Sequence, residues 1–145
     1  MSAATLRLVV SAALALTLAM LGPTPGAAQS SVKGRPIHAA VALPKMDGGN
    51  LKVHAIEVTY PPGATSTAHR HPCPVVGYMI SGTMRMQVSE QPVAEYKAGD
   101  SFVEMPTDVH RMATNPSADT PAVFLATFVC DKDRPLSIPE PAPAQ

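Results

Sequence analysis

The chain has 145 residues with eleven acidic and eleven basic side chains, so its formal net charge is zero. No basic run or stripe is present to neutralise phosphates or anionic headgroups, and nucleic acid is therefore not an expected partner. Sixteen prolines and nine glycines are spread along the chain rather than pooled, a pattern that suits short strands separated by turns and predicts an all-β class.

Residues 1–28 read as a secretory signal peptide: Arg7 precedes an apolar run from Leu8 to Leu21, a Gly/Pro break follows, and Gly26 and Ala28 supply the small residues of a cleavage site. The run is shorter than the roughly 20 residues a spanning helix needs. The expected location is periplasmic or secreted, with no membrane partner after cleavage. Residues 29–50 are polar and broken by Pro36, Pro44 and Gly48-Gly49, which predicts an extended segment wrapping the edge of the domain, with a weak strand around Ile37 to Leu43.

One domain is predicted over residues 51–134. It opens with LKVHAIEVTY at Leu51 to Tyr60, rich in β-branched residues and ended by Pro61-Pro62-Gly63. Further strands are predicted at Val75 to Ile80, Thr83 to Val88, Ser101 to Met105, His110 to Thr114 and Ala122 to Val129. The turns between them, at Ser81-Gly82, Ala98-Gly99-Asp100 and Asn115-Pro116-Ser117, recur at the spacing of a sandwich or closed barrel. The Pro-rich stretch 135–145 is expected to be an extended tail, and no function is assigned to it.

His69 and His71 are two apart, so an extended backbone projects both imidazoles from one face toward one point. Two ligands on one strand seldom suffice for a metal, and His110, at the start of a later strand, is the third candidate. His38 and His54 are expected to be ordinary solvent-facing or hydrogen-bonded residues. Cys73 and Cys130 allow a disulfide in an oxidising compartment; an inert thiol is the second reading and a metal ligand at Cys73 the third.

The text from Gly63 to Gly82, GATSTAHRHPCPVVGYMISG, resembles the first cupin motif, and Gly99 to Asn115, GDSFVEMPTDVHRMATN, resembles the second. The resemblance implies a single cupin jelly-roll β-barrel with His69, His71 and His110 as ligands of one divalent metal, iron, manganese, nickel, zinc or copper. It also implies that a homodimer is plausible. Two departures stand out: Val75 and Val76 occupy the place of the glutamate ligand of the first motif, and Asp108 replaces a glycine of the second. Three neutral imidazoles leave a divalent charge uncompensated, which favours anionic, chelating small molecules.

A replacement fourth ligand is sought in Glu104, which shares a strand face with Phe102, or in Gln87. Glu104 has an equal alternative as a surface carboxylate. Gln87 and Arg85 lie on the face of their strand opposite Met84 and Met86, so they line the pocket only if that face is the inner one. Tyr60 and Tyr78 are candidates for the pocket rim, and Met112 is expected to share the face of His110, two residues before it. Met84 and Met86 alternate along their strand and are expected to be core. The functional expectation is a metal-dependent oxidoreductase of dioxygenase type acting on a small chelating organic molecule, or a non-catalytic metal- or ligand-binding module.

Overall fold

The two longest strands are also among the most apolar, and they pair along their whole length. In the computed structural model, which describes residues 34–38, 40–131 and 133–141, β1 (Lys52–Tyr60) and β9 (Ala122–Cys130) run antiparallel, in register from Lys52 opposite Cys130 to Tyr60 opposite Ala122. The predicted signal segment lies outside the described residues.

The other strands are β2 (Thr65–Ser66), β3 (His69–Arg70), β4 (Val75–Ser81), β5 (Thr83–Val88), β6 (Ala94–Lys97), β7 (Ser101–Glu104), β8 (His110–Thr114) and β10 (Ile138–Pro139). They form two antiparallel sheets, one ordered β1-β9-β4-β7 and the other β10-β3-β8-β5-β6, with β2 also bonded to β8. The all-β jelly roll expected from the sequence is the fold, built as two facing sheets rather than one continuously closed ladder.

Period-two alternation explains which side chains meet. In β9 the even-numbered residues from Ala122 to Cys130 are buried, and in β4 Val75, Gly77 and Met79 are. From the other sheet Met84, Met86 and Ala113 join them, with Phe102 of β7, in one core. Burying each large side chain there is worth about 1.5–3 kcal/mol.

Gly82 is the one-residue corner between β4 and β5, where the chain leaves one sheet for the other. Its φ of +73° and the carbonyl of Pro121, 2.6 Å from where a Cβ would stand, both require glycine. Asn115, 1% exposed, latches the same end of the sandwich: its amide donates to the carbonyls of Tyr60, Pro61 and Thr120, and its carbonyl accepts from Ser117 N.

Cys73 and Cys130 form a disulfide with their Cα atoms 5.1 Å apart, so Cys73 is neither a free thiol nor a ligand. The bond spans 57 residues of sequence, a constraint worth about 2–4 kcal/mol, and ties the segment after His71 to the end of β9.

Two expectations are corrected. Residues 37–43 form no strand among the described residues; instead Val41 and Leu43 share an apolar groove with Val76 and Val103, and Ser101 Oγ donates to the Ile37 carbonyl at 2.6 Å. The Pro-rich tail is not a separate appendage. Ile138 and Pro139 pair with Arg70 and His69 as β10, Glu140 N donates to the Ala68 carbonyl, and Glu140 forms an ion pair with Arg70. The segment from Leu136 to Glu140 is thus a strap across β3.

Candidate metal centre

His69 lies in β3 directly opposite His110, the first residue of β8, and His71 follows β3 by one residue. The register brings the three rings together: centroids of His69 and His71 are 4.9 Å apart, those of His69 and His110 5.0 Å. One nitrogen from each ring falls within 4.8 Å of the others.

The second nitrogen of each ring fixes its orientation. His69 Nδ1 lies 2.9 Å from the Thr67 carbonyl, and His71 Nδ1 lies 2.6 Å from the Leu136 carbonyl. A carbonyl only accepts, so both Nδ1 atoms donate, and in the neutral rings the lone pair is left on Nε2. This is the outer hydrogen bond that metal-bound imidazoles ordinarily make. The Leu136 carbonyl comes from the strap, so the tail orients one of the three histidines.

Glu104 lies beside the cluster. It ends β7 directly opposite Val75 of β4, both side chains turned inward, and is 4% exposed. Its carboxylate oxygens lie 3.2 Å from His71 Nε2 and 3.3 Å from His110 Nδ1. A buried carboxylate thus stands against the rings of His71 and His110 from the strand next to Val75. It is not a surface group.

Burial pushes the Glu104 carboxyl up, but hydrogen bonds from His110 and His71 outweigh that and hold it at about 2. For His71 burial lowers the ring's pKa, yet the bonds to Glu104 and to the Leu136 carbonyl prevail and raise it. His69 moves the other way: burial lowers its pKa, the Thr67 carbonyl opposes this, and the neighbouring His110 and His71 add to the lowering.

Two observations test whether this set suits a cation. His71 Nε2, carrying a lone pair in the neutral tautomer, faces a carboxylate, and two acceptors at 3.2 Å need a positive species between them, a proton or a metal ion. His110 Nε2 is buried with no hydrogen-bond partner. Three imidazole nitrogens within 4.8 Å of one another suit iron, manganese, nickel, zinc or copper, and the residues fit such an ion.

A cavity of about 420 Å³ opens onto the cluster. Its walls are Ile56, Val58 and Tyr60 of β1, Phe124, Ala126 and Phe128 of β9, and Phe102 of β7, with Leu136 and Pro139 of the strap at one side. Tyr60 thus lines the pocket, its ring stacked 6.0 Å from Phe124.

The other predicted pocket residues lie elsewhere. Arg85 and Gln87 fall on the outer phase of β5, because Met84 and Met86 occupy the inner one; Arg85 pairs with Glu95 and Gln87 Nε2 donates to the Gln91 carbonyl. Tyr78 sits between buried Gly77 and Met79 and faces out of the sheet. Met112 is displaced by a β-bulge: Gln87 pairs with Met112 but Val88 with His110, so Arg111 is an extra residue and Ala113, not Met112, turns inward after His110.

The Leu136 and Thr67 carbonyls and the aromatic wall were not foreseen. The phenylalanines stand at even spacing in β9 and could be found by alternation, whereas no sequence signal marks a backbone carbonyl.

The sequence matches the family described as Cupin domain over residues 56–128. The chain belongs to the cupin family. Among solved structures, this cupin is similar to a mutant of Bacillus subtilis oxalate decarboxylase, at 30% identity and a TM-score of 0.51, over 60% of this chain and 23% of that one. It thus spans about a quarter of that protein's length. It is also similar to an uncharacterized conserved protein with a double-stranded β-helix domain from Klebsiella pneumoniae, at 21% identity and a TM-score of 0.51, covering 68% and 87% of the two chains. The DMSP lyase DddQ from Ruegeria pomeroyi aligns at 20% identity and a TM-score of 0.53, over 60% and 42%. Among curated proteins none matches the sequence.

Proposed function

We propose that this cupin is exported through its N-terminal segment and holds one divalent metal on His69, His71 and His110, with Glu104 as the fourth ligand. The observation that carries the reading is the buried Nε2 of His110, which has no partner, in a ring whose Nδ1 faces Glu104 and which converges with two other imidazoles. A polar atom left so costs about 1–3 kcal/mol, which a bound cation removes.

When bound, the metal supplies Lewis-acid polarisation, and redox chemistry if it is iron, manganese or copper. The chain's own residues orient the imidazoles through the Thr67 and Leu136 carbonyls, keep a negative charge at Glu104, and exclude water with the aromatic wall. The reading extends to a dioxygenase-like oxidoreductase, or another lyase or decarboxylase of a small chelating organic molecule, since the name of the oxalate decarboxylase relative denotes chemistry on a small organic acid. A purely sensing or storage module differs by binding such a molecule unchanged.

Metal content, measured by mass spectrometry on the folded chain, tests the core of the proposal. One equivalent is expected in the parent and none in a His69→Ala, His110→Ala variant whose circular dichroism remains that of a β protein. A folded parent that stays metal-free after incubation with iron, manganese, nickel, zinc and copper overturns it.

A further inference from the structure

We infer that the Cys73–Cys130 disulfide completes the metal centre by fixing His71, so that the oxidised chain binds its ion about ten- to a hundredfold more tightly than the reduced chain and is loaded after oxidation. This rests on the metal centre proposed above and names what regulates it.

The three histidines are not held alike. His69 and His110 face each other across the β3–β8 pairing, whereas His71 stands outside it, on the link of residues 71–74 that joins β3 to β4. Pro72 and Pro74 in that link have no N–H to give, so it cannot build a ladder of its own. Its bond from Val129 N to the Pro74 carbonyl, at 3.0 Å, lies on the far side of Cys73 from His71. What fixes His71 comes from the end of β9. Cys73, two residues beyond it, is bonded to Cys130. Phe128, two residues before Cys130, meets the His71 ring edge-on at 5.2 Å, and the Leu136 carbonyl, six residues after Cys130, accepts from His71 Nδ1 at 2.6 Å. Cys130 itself stands opposite Lys52 at the end of the unshifted β1–β9 ladder. The disulfide thus closes a ring, part covalent and part hydrogen-bonded, that ties one ligand to that ladder.

Forming the bond takes two electrons and two protons from the Cys73 and Cys130 thiols and delivers them to a disulfide-bearing oxidant, which leaves as a dithiol. In a reducing compartment the thiols persist, and the chain then has His69 and His110 in place and His71 on a link that nothing covalent restrains. Once bonded, Cys73 and Cys130 are 5% and 2% exposed, so the disulfide is sheltered from exchange. The device therefore acts once, on oxidation: tight metal binding is withheld from the reduced chain and granted to the oxidised one.

The test measures zinc affinity by competition with a chromophoric chelator, in the oxidised parent and in a Cys73→Ala, Cys130→Ala variant that far-UV circular dichroism shows to be folded. Loss of the bond should weaken zinc binding about ten- to a hundredfold. In a His71→Ala background the same pair of substitutions should change it by no more than about twofold, because the bond acts through that ring. A further chain keeps the disulfide but carries two glycines inserted between Pro72 and Cys73. Slackening the arm in this way should weaken zinc about as much as removing the bond, and this chain decides the matter if the one without cysteines does not fold. Unchanged affinity in either chain, or a loss of equal size with and without His71, overturns the inference while leaving the metal centre intact. A folded, oxidised parent that takes up none of iron, manganese, nickel, zinc and copper overturns the metal centre and this inference with it.

Discussion

The β1–β9 ladder is long and unshifted while the six-stranded sheet is built of short, interrupted strands, and the placement of the histidines follows that division. β1 and β9 pair over nine residues without a shift, and their inner faces present Ile56, Val58, Tyr60, Phe124, Ala126 and Phe128 to the cavity. The opposite sheet contains two-residue strands at β2, β3 and β10 and a bulge in β8; it carries His69 and His110, and His71 directly follows β3. A complete ladder uses its backbone donors and acceptors on itself. Where the ladder is broken, carbonyls such as those of Thr67 and Leu136 are left to orient side chains. The long ladder builds the wall, and the broken sheet positions and orients the histidines.

The comparison is broken most severely at Gly77. A Cβ there would stand 2.1 Å from Phe102 Cζ, and the Phe102 ring is itself flanked by Tyr96 and Phe124 at 5.4 Å each. Gly77→Val is expected to cost about 3 kcal/mol, a large fraction of the stability of a small domain. Adding Phe102→Ala in the same chain should recover part of the loss, because the cavity left by the ring accepts the new methyls. Urea denaturation of the single and double variants measures both. A freely folding Gly77→Val protein would mean that the wall is far less rigid than its register implies.

The same division decides what could be read from the sequence. β1, β4, β5, β8 and β9 were legible within a residue because each is a run of five or more strand-forming positions bounded by Gly, Pro or Asn turn signals. The histidine trio was legible from its motif spacing, and Glu104 from its phase with Phe102, although nothing in the sequence told a buried carboxylate from a surface one. Met112 was misplaced because period two was extended across a bulge whose extra residue, Arg111, is held by a bond to the Ser89 carbonyl and an ion pair with Glu90. β10 was missed because a two-residue pairing within a Pro-rich stretch has no period of its own, and its partner lies some 70 residues earlier, as Arg70 and Glu140 show.

Removing the strap sharpens the comparison at moderate cost. A chain ended after Arg134 keeps the whole four-stranded sheet and the disulfide, and loses only two residues of pairing from the other sheet. It should keep its far-UV spectrum. His71 then has no Leu136 carbonyl to fix its ring, and loss of such an outer partner lowers metal affinity about 10–100-fold. Competition with a chromophoric chelator gives the number. Unchanged affinity would show that Glu104 and Phe128, which meets the His71 ring edge-on at 5.2 Å, suffice to orient it.

The response of the metal-free chain to pH separates the carboxylate of Glu104 from the imidazoles beside it. Glu104 titrates at about 2 in the folded chain against 4.5 as its ordinary value, so its contribution to stability is complete above about pH 4.5 and is lost as pH falls toward 2. His71, raised above 6.5, contributes below that value and loses its contribution as pH rises through its folded pKa; His69, lowered, disfavours the fold as pH falls below 6.5. Near neutrality these two histidines act in opposite senses. The acid limb below 4.5 is therefore where Glu104 is visible, and Glu104→Gln should flatten it. In the metal-loaded chain protons and metal compete for the same imidazole nitrogens, so acid also releases the stabilisation due to the bound ion, and the decline should begin at higher pH and be steeper. Thermal unfolding of parent and Glu104→Gln chains, each with and without metal, resolves the two declines. If the loaded and metal-free curves coincide at every pH, the ion is not on the histidines.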